Sequence, residues 1–112
     1  MGRRVIRGEL WTVAGGVYAS KPRPALVIQD DRFDATDSVT VLPLTTTLID
    51  APLLRISLSP SELSGLRQES HVMIDKLTTV RRSNVQTRVG RLTAAQLADI
   101  ERALLVFLGL AG

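Results

Sequence analysis

A chain of 112 residues fits one domain, spanning residues 1 to 112, with a modest core and no need of a linker or second unit. It has no cysteine and a single histidine, which excludes a disulfide framework, a thiolate nucleophile and a cysteine-bound metal, and leaves little from which to build a zinc site. The net charge is only +3, no apolar run approaches the roughly 20 residues of a bilayer span, and MGRRVIRGEL lacks the apolar centre of a secretory signal, so a cytoplasmic protein with no membrane partner is expected.

Short alternating or apolar runs rich in branched residues recur between turn signals. They predict strands near Glu9 to Val13, Ala25 to Gln29, Val39 to Leu44, Leu53 to Leu58, His71 to Asp75, Thr78 to Arg82 and Val85 to Val89. In the fourth, Leu54, Ile56 and Leu58 point one way and Arg55 and Ser57 the other, as in a sheet with one wet face. The short spacing favours a small antiparallel barrel over parallel units joined by helices. In SPSEL, Ser59, Pro60 and Glu62 carry the cap, first-turn and capping-box signals of a helix of one or two turns. Farther on, Thr93 and Gln96 form a second capping box, and Leu97, Ile100, Leu104, Phe107 and Leu108 recur at helical spacing until Gly109 ends the run. Leu105, Val106 and Leu110 widen that stripe beyond what a one-sided helix needs, which points to cover by a second copy of the chain.

The charge is uneven. Arg3, Arg4, Arg7, Lys21 and Arg23 stand against Glu9 alone before Asp30, and Lys76, Arg81, Arg82, Arg88 and Arg91 follow one another with no intervening acid. If the first and last strands are neighbours, these bases form one positive surface, the footprint expected for a polyanion; otherwise they are a scattered, solvated coat. Within KPRPALVIQ, Pro24 pushes Arg23 into extended geometry and Pro22 restricts Lys21, so the Arg23 guanidinium starts from a narrowed set of positions. The loop AGGVYASKP carries Tyr18, which serves either as a stacking surface for a base or as a ring packed on its own barrel. In VLPLTTTLID, Pro43 marks an edge, bulge or strand end, and the hydroxyls of Thr45, Thr46 and Thr47 emerge beside it. Those hydroxyls suit phosphate oxygens, and threonine equally suits a strand.

The stretches RGELW at 7 to 11, RPALVIQ at 23 to 29, PLTT at 43 to 46, GLRQESHVMIDKLTTV at 65 to 80 and VGRLTAAQLADIERALLVFLGL at 89 to 110 resemble, in this order, the MazF/PemK toxins of bacterial type II toxin-antitoxin modules. The resemblance implies a mainly β fold with a C-terminal α-helix, a small SH3-like antiparallel β-barrel of the MazF/CcdB kind, and a homodimer. It further implies a sequence-specific endoribonuclease that cuts single-stranded RNA without a metal or other cofactor. The RNA would be mRNA first, with tRNA and rRNA as further candidates, and a MazE-like antitoxin would hold the toxin in check. Carried over by position, the family's catalytic arginine falls on Arg23 and its catalytic threonine on Thr45, with Tyr18, Lys21, Thr46, Lys76 and Arg81 as RNA-binding candidates. The implied reaction is attack of a ribose 2′-hydroxyl on the adjacent phosphorus, leaving a 2′,3′-cyclic phosphate and a 5′-hydroxyl. In it Arg23 stabilises phosphoryl charge, Thr45 adds a hydrogen bond to the same phosphate, and no residue is assigned as the base. Lys76 departs from the family, where glutamine often follows the aspartate.

Two other classes compete. A CcdB-like gyrase-binding toxin shares barrel and dimer but relies on an aromatic end to its helix, which GLAG lacks. A noncatalytic SH3-like RNA-binding module would give Arg23 and Thr45 structural roles only.

Overall fold

The structure, a computed structural model, describes residues 4–14 and 21–111. Their strands are β1 (Glu9–Val13), β2 (Arg23–Val27), β3 (Ser38–Thr45), β4 (Arg55–Leu58), β5 (Ser70–Met73), β6 (Thr78–Arg81) and β7 (Val85–Arg91), followed by the helix α1 (Ala94–Phe107). The strands pair antiparallel in the order β4-β5-β3-β2-β1-β7, with β6 also on β3.

β3 organises the sheet. One edge pairs with β2, while on the other Ser38 to Val41 take β6 and Leu44 and Thr45 take β5. Pro43 lies where β3 changes partner on that second edge, a place where a missing N–H breaks no ladder bond. Alternation along the strands sends Leu10, Leu26, Leu42, Leu44 and Val72 to one face, where Leu97, Ile100 and Leu104 of α1 cover them. Trp11, Ala25, Val27, Val39 and Val41 form a second cluster with Val5 and Val85 on the opposite face. β1 to β3 are thus buried on both sides, which is why ALVI is an unbroken apolar run rather than an alternating one.

Several elements depart from expectation for local reasons. β2 begins at Arg23 and stops two residues before Gln29, whose side chain leaves the ladder to donate to the Phe33 carbonyl (2.9 Å) and accept the Thr40 N–H (3.0 Å). β5 ends at Met73, and Ile74–Lys76 winds into a 3-10 turn with Ile74 fully buried and Asp75 paired to Arg55. SPSEL forms a single closed turn and no helix, with Ser61 rather than Ser59 as its cap: the Ser64 N–H donates to Ser61 Oγ (3.0 Å) and the Gly65 N–H to the Ser61 carbonyl (2.9 Å). The turn is arrested because it docks on β7. Gly65 sits at φ +71° with its open side 2.0 Å from the Val89 carbonyl oxygen, measured to where a Cβ would stand.

α1 keeps both of its signals. Thr93 and Gln96 bond reciprocally in the capping box, and the chain leaves through Gly109 at φ +74°. There the Leu110 N–H reaches the Leu105 carbonyl and the Gly109 N–H that of Val106, the paired bonds of a Schellman ending. Arg7 fastens the helix to the sheet, pairing with Glu101 while its Nε donates to the Ile28 carbonyl (3.1 Å).

Candidate active site

β2 starts at the arginine that Pro22 and Pro24 constrain, and β3 ends at the first threonine of TTT. In the β2 and β3 ladder Ala25 faces Pro43, Leu26 faces Leu42 and Val27 faces Val41. The ladder closes at Ala25 and Pro43, and two residues beyond it β2 begins at Arg23 and β3 ends at Thr45, an even step that leaves both on the face of Ala25 and Pro43 at the same end of the sheet. Arg23 is exposed, and neither a hydrogen bond nor an ion pair engages it among the described residues. Thr45 is half-buried, and its Oγ1 accepts the Thr47 N–H at 3.1 Å.

The row extends across the sheet. Thr45 faces His71 on β5, His71 faces Ser57 on β4, and on the other side Arg23 faces Val13 on β1. His71 is 9% exposed, and Ser57 Oγ donates to Glu69 Oε2 at 2.5 Å. The sequence signal for His71 was no more than a lone histidine in a strand, and only the register places it beside Thr45.

Arg23 differs from several other arginines of the chain, whose charge is already used. Arg7 is held by Glu101, Arg55 by Asp75 and Arg88 by Glu9, while Arg82 Nε donates to the Thr36 carbonyl at 2.8 Å. β1 and β7 do lie side by side, as a merged positive surface requires, but Arg7 and Arg88 are neutralised within it. Burial alone disfavours the charged form of Glu9. The hydrogen bonds donated by Arg88, Trp11 and the Ile6 N–H outweigh that and hold its carboxyl below the usual carboxylate range.

The predicted RNA contacts divide. Lys21 is exposed two residues before Arg23, and Thr46 is exposed next to Thr45. Lys76 is exposed at the end of the 3-10 turn that packs on β3 and α1. Arg81 is not brought to this end of the sheet: it pairs with Ser38, seven residues from Thr45 along β3, or about 23 Å at roughly 3.3 Å per residue. There it lines a groove with Asp34, Asp37 and Arg82. Tyr18 lies outside the described residues. No group of three or more His, Asp or Glu side chains among the described residues is placed to hold a metal ion.

An antiparallel sheet closed by a C-terminal helix, with a free cation and a hydroxyl at adjoining strand ends, is the architecture the sequence led one to expect of a small toxin. Residues 6–108 match the PemK-like, MazF-like toxins of type II toxin-antitoxin systems, and the chain belongs to that family. It is 58% identical over 107 residues to the probable endoribonuclease MazF of Mycolicibacterium smegmatis, across 95% of this chain and 98% of the relative. Endoribonuclease MazF9 of Mycobacterium tuberculosis is 30% identical over 114 residues, 93% of this chain and 96% of that protein. Among solved structures, an endoribonuclease in complex with its cognate antitoxin from mycobacterial species superposes with a TM-score of 0.79 at 26% identity, covering 96% of this chain and 98% of that one. These likenesses favour a nuclease over the gyrase-binding and noncatalytic alternatives.

Proposed function

We propose that this MazF-like toxin, an endoribonuclease, acts as a single domain that cuts single-stranded RNA at Arg23 and Thr45 by directing a ribose 2′-hydroxyl onto the neighbouring phosphorus. The observation that carries the reading is that the β2 and β3 ladder brings the unengaged Arg23, where β2 begins, and Thr45, where β3 ends, to one end of the sheet. As the bond from the 2′-oxygen to phosphorus forms, the bond to the 5′-oxygen breaks, leaving a 2′,3′-cyclic phosphate and a 5′-hydroxyl. The extra negative charge on the phosphoryl oxygens falls to Arg23, whose planar fork meets two oxygens at once. Preorganised donors of this kind are commonly worth about 100- to 1000-fold in rate. Thr45 brings a hydroxyl to the same linkage, with its oxygen already fixed by the Thr47 N–H. The chemistry draws on the protein's own cation and uses no cofactor.

Lys21, Thr46 and Lys76 flank the pair and track the strand to either side, Tyr18 offers a ring for stacking, and Arg81 extends the track only for an RNA that runs the length of β3. The toxin works as a homodimer in the cytoplasm. Supporting the dimer, Leu105, Val106, Phe107, Leu108 and Leu110 at the end of α1 are 41 to 71% exposed, an apolar tip suited to a second copy. Supporting a soluble site of action, no described helix is long and apolar enough to cross a membrane. Its MazE-like antitoxin offers an acidic, flexible segment that competes with RNA for the unengaged cations; supporting an antitoxin partner, the similar mycobacterial endoribonuclease is in complex with its cognate antitoxin.

The test is cleavage of mixed single-stranded RNA by the purified chain in excess chelator, with both fragment ends mapped and Arg23→Ala alongside. Cutting in chelator with cyclic-phosphate ends, lost by about 100-fold or more in Arg23→Ala, is expected. Cutting by Arg23→Ala at the parent rate, or none by the parent in chelator, overturns the reading.

A further inference from the structure

The 2′-hydroxyl must give up a proton, and a guanidinium that stays protonated near neutrality is a poor acceptor. The neighbour of Thr45 on the next strand supplies one. Among the described residues, His71 Nδ1 is the one sealed side-chain nitrogen or oxygen that has no hydrogen-bond partner. The other buried polar side chains are satisfied: Ser64 Oγ interacts with Ser61 Oγ (3.1 Å), and Ser70 Oγ donates to the Gln68 carbonyl (3.1 Å). Leaving a sealed polar atom unpaired costs about 1–3 kcal/mol, and folded proteins rarely retain one without a use.

We infer that His71 is a positioning residue of the nuclease site, the terminal proton acceptor reached through Thr45; this rests on the reading of Arg23 and Thr45 as the cutting pair. His71 and Thr45 are direct ladder partners on the same face, so their Cβ atoms lie about 5 Å apart and a turn of the imidazole brings Nδ1 toward the Thr45 hydroxyl, which keeps its bond from the Thr47 N–H. With Nε2 carrying the ring hydrogen, Nδ1 presents a dry lone pair. As the 2′-oxygen closes on phosphorus, its proton passes to Thr45 Oγ1 and the hydrogen of Oγ1 passes to Nδ1. Oγ1 has one lone pair for the Thr47 N–H and one for the incoming proton, so it ends as a neutral hydroxyl. His71 ends as an imidazolium whose Nδ1–H donates to Oγ1, which gives the orphaned atom its partner. The departing 5′-oxygen takes a proton from water, and His71 Nδ1 returns its own back through Thr45 Oγ1 to the hydroxide so formed, so protons balance over the turnover. Glu69, held by Ser57 Oγ at 2.5 Å, brings a carboxylate to the face where the positive ring forms.

The test uses the full chain, an RNA of mapped cut sequence and its analogue with 2′-deoxyribose at the cut. His71→Asn is expected to slow single-turnover cutting about 100-fold while binding the analogue within about twofold of the parent. Adding His71→Asn to Thr45→Val is expected to slow it no further than Thr45→Val alone, because a relay broken once is broken. A role in packing alone gives independent, multiplying losses. Because His71 is the sole histidine, its ring nitrogens also report directly in the unmutated protein, and Nδ1 is expected to move to a hydrogen-bonded chemical shift when the analogue binds. Cutting by His71→Asn within threefold of the parent, multiplying losses in the double variant, or an unmoved Nδ1 resonance each overturns the inference. Where His71→Asn does not fold, the Nδ1 resonance and His71→Gln decide. Thr45→Val cutting at the parent rate sinks the cutting pair itself, a different failure.

Discussion

Gly90 lies next to the last residue of β7 with almost no room beside it. A Cβ there stands 2.2 Å from the Ser64 carbonyl oxygen and 2.4 Å from that of Leu63, both backbone atoms that no side-chain rotation removes. Gly90→Ala therefore forces the turn at 61–65 off the strand. Lost with it is the bond from the Arg91 N–H to the Leu63 carbonyl (2.9 Å), worth about 1 kcal/mol net. Displacing a turn that buries Ser64 and Leu66 to 1% and 9% exposure adds an overpacking cost of roughly 1–3 kcal/mol. The sum is about 2–4 kcal/mol, or roughly 8–16 °C in Tm at about 4 °C per kcal/mol for a chain of this size. Urea and thermal unfolding at fixed protein concentration measure it. Gly109→Ala is the control, since nothing lies within 4 Å of its Cβ and only its φ of +74° is unfavourable, a cost of roughly 1–2 kcal/mol. A Gly90→Ala midpoint at or above that of Gly109→Ala refutes the steric account.

Glu9 has a folded-state pKa below its ordinary value of 4.5, so its contribution is present above that pH and is lost as pH falls through the lowered value. Glu9→Gln is thus expected to be about 1 kcal/mol less stable near neutrality and to approach the parent as pH falls through that lowered value, and a gap of equal size in urea unfolding at neutral and strongly acidic pH contradicts it. Phe107→Glu places a charge on the exposed tip of α1 and is expected to shift sedimentation from dimer toward monomer at micromolar concentration; an unchanged mass removes that tip from the interface.

Much of this fold follows from local chemistry that a sequence displays. The ELWTV strand runs from Glu9 to Val13 as read, and the Thr93 and Gln96 capping box is present with both of its bonds. The misjudged elements are those decided by contacts distant in sequence. SPSEL carries every helix-start signal, yet the turn stops where Gly65 and Gly90 let it press on β7. The strand expected to reach Asp75 ends at Met73, where Arg55 from β4 claims the carboxylate and Ile74 turns into the core. Arg81 reads as an RNA contact and Thr45 as a catalytic residue, but antiparallel pairing sets Arg81 of β6 beside Ser38, at the end of β3 away from Thr45. Arg23 and Thr45 were assigned their roles through family likeness, and only the fold shows that the start of β2 and the end of β3 lie at one end of the sheet.

β1, β2 and β3 are packed on both faces, and the residues assigned to cutting are the first and last of two of those strands. Amides in the middle of such a slab are expected to exchange slowest, so the pair proposed to cut stands at the rim of the most protected part of the molecule. On the proposed reading, the connections around that rim can be lengthened, shortened or recoded for a different RNA while Arg23 and Thr45 stay where the slab holds them.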